Sequence, residues 1–510
     1  MRIFVIAAWC LALGGAATGA DTKSFPVARV LEVDSGHSTS FAFSPNGRVL
    51  AVVDGVCVRF WNPRSGKEVA APWKLETDPQ IIGIALFLAF VDDKTIAMSR
   101  NRDDITLREY PSGRQVHSIR FDHPVSSDCW VVAPGLLACA AMHNNKYDVS
   151  LLTGPKWEAS WRVVLDRESP QSLAFSPDRS ELAVGMKEGP LRVYSVKDGK
   201  PLRTAAREKF PVEDVHKIVY SPDGLEFAFR PAVHLRSGPC EGLALLDANF
   251  TALRVIPWGG PGGRGYDPVD CQFSADGKTL IVPCRSNTVR LYERQTGKLR
   301  HIGMVPAQWH RFAVSPDGKL FVAGNSRKMA VVDWRAAAPD TGLAGDPTTL
   351  WADLASPDSA KGYRAVAALG ARPADAVKLI GDNLKPAAVP AAATVNALVA
   401  DLAADDFATR EAAQKELAKL LEAVEPELRA AVKSDAPERR ARARELLKVL
   451  ARGDHPDRLR ALRAVEVLEY IDTPAARDVL KALAAGAAGA SLTRDAAAAL
   501  TRLHALDPKP

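Results

Sequence analysis

The sequence predicts a seven-bladed β-propeller, an all-β ring, followed by an all-α helical domain. Three observations predict it. A β unit first seen at Thr39–Trp61 recurs with a period of roughly 45 residues, as small sheets do when each must stack on its neighbours to bury its faces. The copies share one turn chemistry. Beyond about residue 347 the apolar residues change from strand alternation to the 3, 4, 7 spacing of helices.

At 510 residues the chain is too long for one core, and two domains are expected. Apolar residues make up 47%, charged residues 25%, and the formal charge is +6, an ordinary globular balance. No strongly basic face with interleaved aromatics points to nucleic acid.

Residues 1–20 stand apart. Arg2 precedes an uninterrupted apolar run from Ile3 to Leu13, and small residues fill Gly14 to Ala20. This is the pattern of a secretory signal peptide cleaved after Ala20, which predicts an exported protein, periplasmic, cell-surface or secreted. The run is shorter than the roughly 20 residues a membrane-spanning helix needs, so no membrane span is expected after cleavage. Cys57, Cys129, Cys139, Cys240, Cys271 and Cys284 then remain. Cys129 and Cys139 fall on neighbouring strands of one hairpin, which makes them the first pair to test for a bridge, with buried free thiols as the alternative.

Five copies of the unit carry a clear turn: FSPNG at Phe43–Gly47, FSPD at Phe175–Asp178, YSPDG at Tyr220–Gly224, FSADG at Phe273–Gly277 and VSPDG at Val314–Gly318. Pro presets φ, Asp or Asn bonds its own backbone, and Gly accepts positive φ, so the hairpin closes without strain. Two degenerate units, turning at Asp92–Asp93 and Pro134–Gly135, raise the total to seven. Gly66, Gly113, Gly199 and Gly297 open the turn to an outer strand. The seventh unit lacks that strand, because a segment rich in Ala, Pro and Gly follows Trp334. Residues 27–33 alternate like a strand without a blade of their own. They are expected to close the ring and so remove an exposed sheet edge.

Past residue 347, stripes such as Ala413, Leu417, Leu420 and Ala443, Leu446, Leu450 read as helices of about 10–15 residues. Pro357, Pro373, Pro426, Pro437, Pro456 and Pro474 stand near their starts, and Thr473 is placed to cap the last of these. Short helices joined by short turns are the grammar of an α-solenoid, with a plain bundle as the alternative. Arg439, Arg440, Arg442 and Arg444 lie among Glu438 and Glu445 and read as a solvated helix face.

These residues resemble the WD-repeat (WD40) β-propeller family over residues 26–338. The first unit carries the resemblance most fully, with Gly36–His37 ahead of the hairpin, Asp54–Gly55 in the next turn and Trp61–Asn62 in place of Trp-Asp. The resemblance implies a hydrogen-bonded structural group of His37, Asp54 and Trp61, with Asp54 one residue further from Trp61 than the family has it. The other units lack both pairs and are equally similar to periplasmic propellers with Ser-Pro-Asp-Gly turns. Residues 401–450 resemble HEAT-like repeats, and 350–384 look like the helical module that follows propellers in some bacterial exported proteins.

No nucleophile elbow, zinc-protease motif, P-loop or calcium loop occurs, so no catalytic residue, metal or cofactor is assigned. Gly259–Gly265 lacks the Lys-Ser or Lys-Thr pair of a phosphate cradle. The loops that join blades, and those between second and third strands, share one rim of a WD-repeat ring. There the expected binding residues are His234, Arg236, Trp258, Arg264, Tyr266, Trp309, His310 and Arg311, since Arg and aromatic side chains dominate interface hot spots, although Trp at a blade junction is more often packing. Two functions follow. The first is a non-enzymatic exported scaffold binding a protein, peptide or glycan through the rim and the helices. The second is a hydrolase or lactonase with carboxylates converging at the channel mouth, which the fold permits.

Overall fold

The computed structural model describes residues 23–25, 27–32, 40–54, 57–75, 87–99, 104–120, 125–143, 146–165, 168–187, 191–205, 215–231, 242–257, 268, 270–284, 287–305, 311–324, 328–335, 346–388, 390–420, 423–452 and 455–506. Seven antiparallel sheets follow one another in the chain. Blade one is built from Phe41–Phe43, Leu50–Asp54, Cys57–Trp61 and Glu68–Lys74. Blades two to six span 87–120, 125–165, 169–204, 215–257 and 272–304. Blade seven has Arg311–Val314, Leu320–Gly324 and Lys328–Asp333, and its outer strand is Val27–Glu32, antiparallel to Lys328–Asp333. The second strands of the blades, and the third strands of blades five to seven, are largely buried, because neighbouring sheets cover both faces.

The serine of each turn proves as important as its Pro, Asp and Gly. Its hydroxyl donates to the Asp or Asn two residues on and accepts the amide five residues on, as in Ser221 to Asp223 at 2.6 Å and Glu226 N to Ser221 at 2.9 Å. The same pair of bonds recurs at Ser44, Ser176, Ser274 and Ser315. The turn glycines have φ of 66–72° at Gly47, Gly224, Gly277 and Gly318, where a side chain would be strained. An Arg from the following blade then clasps several of these turns from outside. Arg294 meets Asp223 at 2.7 Å, Arg335 meets Asp276 at 2.6 Å, and Arg64 pairs with Asp317 across the closure of the ring. Inner-strand edges are blunted the same way: Ser172 accepts the Ile218 amide and Gln272 the Val314 amide, both at 3.1 Å.

One feature was not foreseen, and one open alternative is decided. Lys23–Ser24 adds a fifth strand to blade six, parallel to Leu299–Met304, and Phe25 behind it is 2% exposed. Cys129 and Cys139 are free buried thiols on adjacent strands that face opposite ways: Cys129 packs with Ala138 and Ala140, Cys139 with Leu137 and Ala141. Alternation along the strands separates them, and the Cys129 thiol donates to Pro170 O.

Ten helices follow among the described residues: α1 Pro347–Leu354, α2 Ser359–Gly370, α3 Pro373–Asn383, α4 Ala392–Asp401, α5 Phe407–Leu420, α6 Glu425–Ala431, α7 Pro437–Arg452, α8 Pro456–Ile471, α9 Pro474–Ala484 and α10 Ser491–Leu506. Pro373, Pro426, Pro437, Pro456 and Pro474 do stand at helix starts, and Thr473 caps α9 by accepting from Ala476 N. The helices do not stack simply in chain order. α1 to α3 and α8 to α10 share one core, whereas α4 to α7 form a second with helix pairing of their own. Within that second unit Arg410 and Arg440, thirty residues apart, each give one guanidinium nitrogen to two carbonyls of the preceding turn, the mark of a repeated helix pair.

Candidate functional site

Antiparallel blades give the ring two unlike ends. The Ser-Pro-Asp-Gly turns and the third-to-fourth-strand turns lie at one, and the second-to-third-strand and blade-to-blade loops at the other. The sequence assigns its expected rim residues to the second end. His234, Arg236, Trp258, Arg264, Tyr266, Trp309 and His310 lie outside the described residues, as do His37 and the signal segment. Arg311 opens the first strand of blade seven, its backbone opposite Gly324. Pro268 bridges to Cys284, which brings the end of the long blade-five-to-six loop against blade six. Asp54 pairs with Cys57, and Trp61 packs in an apolar cluster with Leu31, Phe41 and Met329 between blades one and seven.

The turn end of blades six and seven carries a site that sequence reasoning missed. Glu293 closes the third strand of blade six, and Arg300 lies in the outer strand. Helix α8 lays Arg463, Glu466 and Glu469 over them at i, i+3 and i+6, one helical face. Arg463 holds Glu293 through two bonds of 2.9 Å, and Arg300 holds Glu466 through bonds of 2.9 and 3.1 Å while also reaching Glu293 at 3.0 Å. Ser359 at the start of α2 donates to Glu293 at 2.7 Å. The other arm of Arg463 caps the last carbonyls of α1, donating to Leu354 O and Ser356 O. Gly362 leaves room for it, since a Cβ there would lie 2.3 Å from the guanidinium.

A second layer lies beside the first. Asp276 pairs with Arg335, Glu469 accepts from two guanidinium nitrogens of Arg502, and Tyr363 donates to Trp334 O. His301 lies between Phe25, which meets it edge-on, and Tyr363, which stacks on it, with ring centroids 5.2 and 5.9 Å away. Burial would raise the Glu293 carboxyl, but Arg300, Arg463 and Ser359 hold it down at about 2. Burial is likewise outweighed at Asp276, where Arg335 and Lys278 keep the carboxyl well below the usual range. Burial, with the Arg364 charge, lowers His301 to about 4, so the ring is neutral at pH 7. Carboxylates this ionised and this saturated with donors hold two domains together; they do not shuttle protons.

The sequence shows only the apolar stripe of α8. In the structure residues 463–469 are buried all round, and only two covering partners bury both an apolar and a charged face. Among the described residues no group of three or more His, Cys, Asp or Glu is placed to hold a metal ion, and no helix is long and apolar enough to cross a membrane.

Fold and junction together define a seven-bladed propeller with a helical domain docked on its turn end. Compared with known proteins, the sequence matches no family model and no curated protein. Among solved structures it is similar to a chain in a crystal structure of the mitotic checkpoint complex, at 13% identity and a TM-score of 0.49, over 62% of this chain and 95% of that one. It is also similar to the β-propeller domain of Cps50 (Swd1) from Myceliophteria thermophila, at 15% identity and a TM-score of 0.49, over 61% of this chain and 99% of that one.

Proposed function

We propose that this chain is a non-enzymatic exported scaffold that binds a protein, peptide or glycan partner at the loop end of the ring and presents the helical domain as a second surface. The observation that carries the reading is the docking itself. Helices α2 and α8 cover the outer strand and turn end of blades six and seven through buried ion pairs, which fixes the helical domain against the ring. The sequence assigns the partner-binding residues to the long loops 230–242 and 257–268 and to the loop that enters blade seven. Export rests on the apolar run Ile3–Leu13 and the small residues before Asp21.

The test is an affinity capture with the full mature chain from the exported fraction of the source cells, beside a variant with Trp258, Arg264, Trp309 and Arg311 changed to Ala. A partner captured by the parent and lost from the folded variant supports the scaffold and its rim. A stoichiometric metal in the purified protein, with hydrolysis of a lactone or glycan, would replace this reading with the hydrolase.

A further inference from the structure

Blade five carries a motif with a chemistry of its own: Asn249-Phe250-Thr251, an asparagine with a hydroxyl residue two places on. No other asparagine of the chain has Ser or Thr at that spacing. It is the acceptor pattern for N-linked sugar, which is added to exported chains on surface turns, so its use rests on the export reading above.

The fold presents the motif as an acceptor must be presented. It forms the turn between the third and fourth strands of blade five, Gly242–Asp247 and Ala252–Pro257. Asp247 Oδ1 accepts the amides of Asn249 and Thr251 at 2.9 and 2.7 Å, and the Phe250 amide closes the turn on Asp247 O at 2.9 Å. Phe250 has a φ of 64°, in the left-handed region where blades one, two, four and six place Gly66, Gly113, Gly199 and Gly297. Its ring is 9% exposed and lies 5.7 Å from that of Phe227. With the middle residue anchored inward, Asn249 and Thr251 stay outside, and both are exposed. Among the described residues no hydrogen bond ties down either side chain.

A second observation lies on the neighbouring turn of the same blade. Leu225 is 64% exposed, more than any other large hydrophobic among the described residues, and it sits one residue outside the Glu226–Asp247 rung of the sheet. A bulky, solubilising group attached two residues beyond Asp247 stands where it covers that apolar surface.

We propose that Asn249 carries an N-linked oligosaccharide that covers the turn end of blade five and leaves clear the opposite end, to which the sequence assigns the partner. The donor class is an oligosaccharide esterified to a lipid diphosphate. The Asn249 amide nitrogen attacks C1 of the first sugar, so that a C1–N bond forms and the C1–O bond to the diphosphate breaks. The lipid diphosphate leaves with the electron pair, and the nitrogen gives one of its two protons to a base of the transferase.

Mass spectrometry of the full chain, purified from the exported fraction of the source cells, tests this. The expected result is a chain beginning at Asp21 whose tryptic peptide 237–254 is heavier by an oligosaccharide, with backbone fragmentation placing the added mass on Asn249. Asn249→Gln and Thr251→Ala should each abolish the added mass, whereas Thr251→Ser should keep it. A chain beginning at Asp21 with a bare Asn249, or with sugar undiminished in Thr251→Ala, overturns the glycan and leaves the export reading standing. A chain that retains residues 1–20 overturns both. If a variant fails to fold, the native peptide decides alone.

Discussion

Glu293 and His301 lie in the same blade and feel acid in different ranges. Burial lowers His301 from 6.5 to about 4, aided by Arg364, so between those values the unfolded chain binds the proton and the folded one does not. Its contribution is complete above pH 6.5 and is lost as pH falls towards 4, on the order of 3 kcal/mol for a group this well covered. Glu293 is lowered from 4.5 to about 2, because its arginines outweigh burial, and its contribution is lost only as pH falls from 4.5 towards 2. Urea unfolding between pH 7.5 and 3 should therefore show two stages. The His301→Phe variant is expected to lose much of the upper stage, its ring still filling the stack between Phe25 and Tyr363. An unchanged slope between pH 6.5 and 4.5 would show that His301 is not buried as described. Glu293→Gln should cost about 3–5 kcal/mol at pH 7, the usual result of breaking a buried pair, and show a shallower lower stage.

At the scale of the element, the instructive segment is the strap that precedes blade one. Val27–Glu32 was legible in the sequence, since it alternates like a strand and the seventh blade lacks one. Lys23–Ser24 was not, because two residues in a parallel pairing leave no period to read. What holds that fifth strand is Phe25, whose ring centroid lies 5.2 Å from that of His301 and 5.3 Å from that of Phe321. Gly303 is where the ring rests: a Cβ there would come within 2.2 Å of it. Phe25→Ala should cost about 3–5 kcal/mol as a large-to-small core change, and Gly303→Ala about 1–3 kcal/mol by overpacking. Combined, they should cost clearly less than their sum, because the methyl group no longer meets a ring. Additive losses in denaturant titrations would mean the strap is held by its backbone pairing instead. The turns teach the same lesson about legibility from the other side. Their Pro, Asp and Gly announced the hairpins because turn chemistry is local, while the serine hydroxyl bond to an amide five residues on became visible only once the second strand was in place.

For the whole molecule, the boundary of stability differs from the change in periodicity near residue 347. Helical spacing says which face of a helix is apolar; it does not say which partner covers it. The charges of α8 look like a solvated stripe in sequence, yet Arg463, Glu466 and Glu469 are buried against blade six and α10. The ring and α1–α3 with α8–α10 should accordingly unfold as one unit, and α4–α7, which has its own core from Val395 to Leu446, as another. Two truncations separate this from a simple two-domain chain. A ring ending at residue 340 leaves Glu293, Lys278 and Trp334 uncovered and unmatched, so its unfolding midpoint should fall well below that of the full chain. Replacing residues 391–452 by a flexible Gly-Ser linker of about ten residues should leave the midpoint of the main transition nearly unchanged, since Ala387 still accepts from Ala487 N and anchors the chain ahead of the cut. If the isolated ring proves as stable as the whole, or if removing α4–α7 drags the main transition down with it, the junction at blade six is not what joins the two halves.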